Sequence, residues 1–293
     1  MTNWLSECRN RVLIIDGAMG TELSARGMPG GVCPEQWARE NPLLLGEVHT
    51  AYAQAGADVL LTFTLGGTPQ KLAEFGLDRE TEAINWALAR VARQAAPEVI
   101  IVGNLGPTGQ MIEPLGTATA DQILAGYRRQ VAGLADVVDG FLIETMSALD
   151  ETILAVEAAR RGAPGKPVLA SLTYQMDHNG QNYHTFMGVD PATAAKKLTD
   201  AGADAIGTNC GNGIDQMIGI VERLAATTKL PVFAEPNAGL PKLVNGKTTF
   251  EESAESMAGK VGRMVKAGAR LVGGCCGTTP GHIGAIKAAV AGM

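Results

Sequence analysis

Aromatic residues are scarce in this chain: Phe, Trp and Tyr make up 4% of its 293 residues. The core must therefore be assembled from Ala, Val, Leu and Ile, and 37 glycines provide many tight turns. Long apolar runs are missing as well. None approaches the ~20 residues of a membrane-spanning helix, so no membrane partner is expected. The opening residues, Met1-Thr2-Asn3-Trp4-Leu5-Ser6-Glu7-Cys8-Arg9, are polar and lack the apolar centre of an export leader. Basic character is also lacking. Lys and Arg number 24 against 30 Asp and Glu, giving a net charge of −6 with both signs scattered. That argues against a nucleic-acid surface and an anionic membrane. Five cysteines, two of them adjacent, do not make a tidy disulfide framework. Reduced thiols and a cytoplasmic location fit better. No Pro-, Gly- or Ser-rich linker divides the chain, so one domain over residues 1–293 is expected.

What is present is a rhythm. Eight short apolar runs recur at fairly even spacing: Val12–Ile15, Asp58–Phe63, Val99–Gly103, Gly140–Ile143, Val168–Leu172, Ala205–Thr208, Val232–Ala234 and Arg270–Val272. Stretches with helical spacing lie between them: Pro42–Ala55, Glu80–Ala95, Ala120–Ala135, Leu149–Arg161, Pro191–Ala201, Asp215–Ala226, Glu252–Ala267 and Pro280–Ala291. Strands alternating with helices imply parallel pairing. Eight such units predict a closed α/β barrel, the (β/α)8 or TIM barrel, as a single domain. A small repeat supports the count. Ala55-Gly56-Ala57, Ala201-Gly202-Ala203 and Ala267-Gly268-Ala269 each end a helical stretch just before a strand, where Gly can take the left-handed conformation that closes a helix.

Barrel chemistry sits at the C-terminal ends of the strands. Those ends carry Asp16-Gly17-Ala18-Met19-Gly20-Thr21, Thr62-Phe63-Thr64, Asn104, Glu144-Thr145, Ser171, Asn209-Cys210, Glu235-Pro236-Asn237 and Cys275-Cys276. Cys210, Cys275 and Cys276 each sit among glycines, a poor arrangement for packing. Together they offer three thiolates to one cation, the ligand number of an open zinc site with a fourth position free. Cys8 and Cys33 read as small apolar fillers or exposed residues. The Asp16–Thr21 loop lacks the Lys of a nucleotide phosphate loop. It is either a plain tight turn or a backbone cradle for a small anion such as a carboxylate. Glu144 is either a capping carboxylate or a ligand for a substrate ammonium. His178 and His184 fall in a polar loop over the mouth after the fifth strand, read as a solvated loop with metal binding as the alternative; His282 falls in the first turn of the last helix, and His49 on a helix face.

The motifs Asp16-Gly17-Ala18-Met19-Gly20-Thr21, Gly103-Asn104-Leu105-Gly106-Pro107-Thr108, Ile143-Glu144-Thr145, Gly207-Thr208-Asn209-Cys210-Gly211, Asn237-Ala238-Gly239-Leu240-Pro241 and Gly273-Gly274-Cys275-Cys276-Gly277-Thr278-Thr279-Pro280 resemble those of the homocysteine S-methyltransferase family. The likeness is greatest to the homocysteine-binding module of cobalamin-dependent methionine synthase. It implies a zinc barrel that activates the homocysteine thiol and methylates it to methionine, with Cys210, Cys275 and Cys276 as zinc ligands and as the catalytic set. It further implies that Asp16, Gly17, Ala18, Met19, Gly20 and Glu144 hold the amino acid, with Ser171 and Asn209 in the same shell and Asn237 near the fourth zinc position. The implied methyl donor is a separate methylcorrinoid protein carrying methylcobalamin. Betaine and S-methylmethionine are the alternatives, and a non-catalytic module binding zinc or a thiol is the reading from another class.

Overall fold

Each apolar run becomes a strand, and each strand is followed by one of the expected helices. In order these are β1 (Leu13–Ile14) and α1 (Pro42–Gln54), β2 (Val59–Leu61) and α2 (Thr81–Ala95), β3 (Ile100–Leu105) and α3 (Ala120–Leu134), then β4 (Gly140–Met146) and α4 (Leu149–Gly162). The second half continues with β5 (Val168–Leu172) and α5 (Pro191–Asp200), β6 (Ala205–Gly213) and α6 (Ile214–Thr227), β7 (Val232–Asn237) and α7 (Ala254–Lys266), β8 (Ala269–Val272) and α8 (Pro280–Val290). The structure is a computed structural model that describes residues 4–244 and 247–293. Residues 1–3, where the export-leader reading begins, lie outside the described residues, as do residues 245–246.

Neighbouring strands pair in parallel all the way round. The ring closes between β1 and β2 through the Ile15–Val59 bridge and the bond from the Asp58 amide to the Ile14 carbonyl, 2.7 Å. The strands therefore form the expected α/β barrel, and sheet edges are removed by closure. Among the described residues, no helix is long and apolar enough to cross a membrane.

Strand alternation sorts the apolar residues into two cores. Leu13, Ile15, Val59, Leu61, Val102, Leu142, Leu169, Ala205, Phe233 and Leu271 fill the barrel interior. Their neighbours of opposite parity, such as Ile14, Leu60, Ile101, Ile143, Ala170, Ile206, Ala234 and Val272, pack outward against the helices. The interior plug is continued at the N-terminal end by Trp4, Leu5 and Cys8 of a 3-10 helix, Trp4–Arg9. His49, read as lying on a helix face, is fully buried on α1. The three Ala-Gly-Ala repeats do end helices as expected, with Gly56, Gly202 and Gly268 at φ of 97°, 95° and 119°.

The N-terminal end is fastened by a repeated clasp. Asp58, Asp139 and Asp204 precede β2, β4 and β6. Each carboxylate accepts an amide of the strand before it, from Ile14, Ile101 and Val168, at 2.8 Å in all three. Each also has a cation: Arg11 and Lys287 for Asp58 at 2.9 and 3.2 Å, Arg93 for Asp139 at 2.5 Å, and Arg160 for Asp204.

The opposite end departs from expectation in one informative way. β4, β6 and β7 run past their apolar residues to Met146, Gly213 and Asn237. Polar residues there do not end the strands, because past a register shift each stays paired with one neighbour: β4 with β5 at Met146–Leu172, and β6 with β7 at Gly213–Asn237. The polar loop after β5 folds into a small hairpin, Gln175–Met176 with Tyr183–His184, and a second hairpin after β7 joins Lys242–Val244 to Lys247–Thr249.

Candidate functional site

Two residues along each strand from the interior plug, the same parity that buried Leu and Phe now delivers polar side chains to the mouth. Val102 leads to Asn104, Leu142 to Glu144, Leu169 to Ser171 and Phe233 to Glu235 and Asn237. All are buried. Above them, Cys210, Cys275 and Cys276 meet.

Cys210 reaches that meeting point through its backbone. By alternation Asn209 faces inward and Cys210 outward, but Cys210 adopts φ 58° and turns back. Phe63 and Thr145 make the same left-handed excursion at the ends of β2 and β4, with φ 57° and 60°. Such conformations cost about 1–3 kcal/mol each for residues other than Gly. All three line the mouth, where function rather than stability selects them. Cys275 and Cys276 are set by the loop after β8. The Cys275 amide bonds the Pro236 carbonyl at 2.8 Å, the Cys276 carbonyl accepts from Ala238 at 3.0 Å, and the Gly274 amide bonds the Asp16 carbonyl at 2.9 Å. The loops after β1, β7 and β8 are thus stitched together. Thr278 locks the joint: its hydroxyl donates to the Cys275 carbonyl at 2.8 Å and accepts from the Ala18 amide at 3.1 Å. Gly17 and Gly274 are required here, since a Cβ on either would lie 2.8 and 2.4 Å from that hydroxyl.

The three sulfurs all lie within 4.8 Å of one another, with Cys210 and Cys276 at 3.9 Å. Tetrahedral zinc with Zn–S of about 2.3 Å wants sulfurs about 3.8 Å apart. Beside Cys210, within hydrogen-bonding reach, is the buried side chain of Asn237, whose Oδ1 has no partner among the described residues. A soft trio at this spacing with an orphaned oxygen alongside fits a zinc ion. Among the described residues it is the one cluster of His, Cys, Asp or Glu side chains close enough to hold a metal. The Cys275 and Cys276 thiols donate to Cys210 and pull its ionisation down to about 3, while burial opposes this. The same hydrogen bonds, with burial, push Cys275 up and Cys276 up to about 11. These hydrogen bonds favour a thiolate at Cys210 held by the Cys275 and Cys276 thiols.

The sulfurs form one end of a cavity of about 570 Å³, within the range of small-molecule sites. Gly17, Ala18, Met19, Gly20 and Glu144 lie on its wall. Asp16, Ser171, Asn209 and Asn237 do not; they are buried beneath it. Asp16 bonds the Leu61 amide at 2.9 Å and so ties β1 to β2. Asn209 is a hub: its amide donates to Glu144 at 2.5 Å, and its Oδ1 accepts from Ser171 at 2.8 Å and from the Thr145 amide at 2.7 Å. Of the amides in the Asp16–Gly20 loop, that of Ala18 is already taken by Thr278. Glu144 also accepts from the Asn104 side chain. Burial raises Glu144 to about 7, and the Cys210 charge adds to this against the two amide donors. Burial likewise drives Asp16 and Glu235 up, reinforced for Glu235 by Glu144 and Asp16.

Sequence reasoning gave no role to Glu235, Asn104 or Cys33, all of which line the cavity. The parity rule, applied from Phe233 and Val102, would have found the first two. Cys33 has no such signal; a loop ahead of Pro34–Glu40 brings it in. Glu35, Lys71, Glu74 and Phe75 line the same cavity. His178 is exposed and His184 half-buried in the β5 hairpin; neither joins the cysteines.

Residues 13–290 match the family model for homocysteine S-methyltransferase. The methionine synthases of Mycobacterium tuberculosis and Mycobacterium leprae are 31% and 30% identical over 100% and 99% of this chain. The chain spans only 26% and 25% of those proteins. Among solved structures, the metallated form of the homocysteine methyltransferase MmuM from Escherichia coli is 27% identical, with a TM-score of 0.76 and 96% of each chain covered. The carboxyl transferase domain of Rhizobium etli pyruvate carboxylase, at 17% identity and a TM-score of 0.57, shares the fold alone.

Proposed function

This chain belongs to the homocysteine S-methyltransferase family, and we propose that it methylates the sulfur of homocysteine to give methionine, with zinc held by Cys210, Cys275 and Cys276. The observation that carries this reading is the sulfur trio, spaced for one tetrahedral ion at the end of a cavity sized for an amino acid. Bound there, zinc is a Lewis acid that favours the thiolate form of an incoming thiol. That matters because only the thiolate is a good nucleophile, and a free thiol is mostly protonated at neutral pH.

The remaining work falls to the chain's own residues. Glu144 pairs with the substrate ammonium, and the free amides of the Gly17–Gly20 loop face its carboxylate. Asn104 and Asn209 fix the Glu144 carboxylate so that it presents its remaining lone pairs to the cavity. Asp16, Ser171 and Asn237 support this shell from beneath. Their contribution is orientation, which lowers the barrier by pre-arranging the reacting sulfur. The thiol proton leaves to solvent, the sulfur attacks the donor's methyl carbon, the S–C bond forms, and the bond from methyl to its carrier breaks. Ligation through thiolates requires reduced cysteines, so a cytoplasmic location goes with this reading.

The donor we assign first is a methylcorrinoid carried by a separate protein, supported by the sequence likeness to methionine synthases. A small onium donor, betaine or S-methylmethionine, is the second reading. It is favoured by a cavity wall that includes Phe63, Phe75, Glu35 and Glu74, side chains that suit a soft cation. The test supplies zinc-loaded protein with homocysteine and offers methylcobalamin, betaine, S-methylmethionine and methyl-folate in separate reactions. Methionine should form with the corrinoid. Methionine from an onium donor alone would select the second reading, and none from any donor would remove the enzymatic one.

A further inference from the structure

Glu235 is a carboxyl without a counterpart. It projects from β7 into the cavity, beside Asn209 across the β6–β7 ladder. It is 2% exposed, and its buried Oε2 has no hydrogen-bond partner among the described residues. The groups that act on it electrostatically, Glu144, Asp16 and Cys210, are all acidic. Among the described residues of the wall, the one cation is Lys71, and it is ion-paired with Glu74 at 2.7 Å. A buried carboxylate in such company is costly unless a proton or a cation neutralises it. The arrangement does not suit a second metal, because the carboxyl oxygens of Asp16, Glu144 and Glu235 do not gather into a group close enough to ligate one ion.

Glu144, on β4, has both oxygens engaged by the Asn104 and Asn209 amides. Glu235, on β7, has a wholly free one. A primary ammonium carries three donors and can span two carboxyls on separate strands. Resting on the function proposed above, we infer that Glu235 is a second carboxyl for the substrate's α-ammonium. It selects amino-acid thiols over thiols that lack the amino group. Glu144 positions the ammonium from one side and Glu235 supplies the unsaturated acceptor from the other.

The test compares zinc-loaded wild type with Glu235→Gln and Glu235→Asp, measuring binding of homocysteine and of 4-mercaptobutanoate, the same thiol without its amino group, by calorimetry. Zinc content and the thermal melt are read alongside. Loss of a buried charge-assisted bond should weaken homocysteine binding about 10- to 100-fold in Glu235→Gln. Binding of 4-mercaptobutanoate should change by less than about twofold, since that ligand never made the contact. In kinetics KM should rise with kcat nearly unchanged, and Glu235→Asp should recover part of the discrimination. An unchanged preference for homocysteine in Glu235→Gln would overturn the assignment while leaving the methyltransferase reading intact. Loss of zinc or of a cooperative melt in that variant would make Glu235 structural and overturn it too. Failure of the wild type to bind homocysteine at all would take both readings down.

Discussion

The two ends of this barrel treat their carboxylates in opposite ways. At the N-terminal end, Asp58, Asp139 and Asp204 each receive a strand amide and at least one Arg or Lys. At the C-terminal end, Asp16, Glu144 and Glu235 are deeper and, among the described residues, have amides or nothing for partners and no basic side chain beside them. The first arrangement satisfies itself and serves closure of the ring. The second is incomplete until something cationic enters. Stability and function are segregated along the barrel axis, and the incomplete end is where three non-glycine residues also hold left-handed backbones.

That contrast can be broken most decisively at the sulfurs. Cys275→Ala should lose stoichiometric zinc and all activity, while the far end keeps the barrel folded. Metal analysis beside a circular-dichroism melt would check this, and retained zinc with normal turnover would refute the ligand assignment.

A pH titration sharpens the same end. In the metal-free protein Cys275 and Cys276 lie above the ordinary thiol range and Cys210 far below it. At neutral pH the first two therefore carry protons that must leave when zinc binds. Zinc affinity should climb as pH rises, and uptake should release about two protons per site. Competition with a chelator across pH 6–9, with calorimetry in buffers of different ionisation enthalpy, would measure both. A flat profile would show that the trio is already ionised or does not ligate.

The smallest effect belongs to the satisfied end. Asp139→Asn keeps the shape of the clasp but removes the charge facing Arg93. Half-exposed pairs of this kind contribute about 1 kcal/mol. The melting temperature should fall by about 2–4 °C, with zinc content and specific activity unchanged. A large loss of activity in this variant would show that the two ends are coupled after all.

Much of the molecule could be read from the chain. All eight strands and eight helices fall where apolar spacing put them, because burial on both faces of a parallel strand leaves runs such as Val168–Leu172, which matches residue for residue. The elements that could not be read are those whose reason lies elsewhere in the fold. Met19–Ala25, Pro34–Glu40 and Pro69–Ala73 are short helices held by tertiary packing, and they close the cavity wall with Cys33, Glu35 and Lys71.

By itself, the sequence determined the barrel, its order of elements, and the three cysteines as a set, because periodicity and strand-end position are local properties of a chain. Only the tertiary structure decided which polar residues face the cavity and which lie beneath it. It moved Asp16, Ser171, Asn209 and Asn237 under the wall and brought Glu235 onto it. The reason is geometric: exposure at the mouth depends on strand tilt, on the left-handed turn at Cys210, and on which neighbour already occupies a side chain's hydrogen bonds. None of these is written in the spacing of residues along one strand.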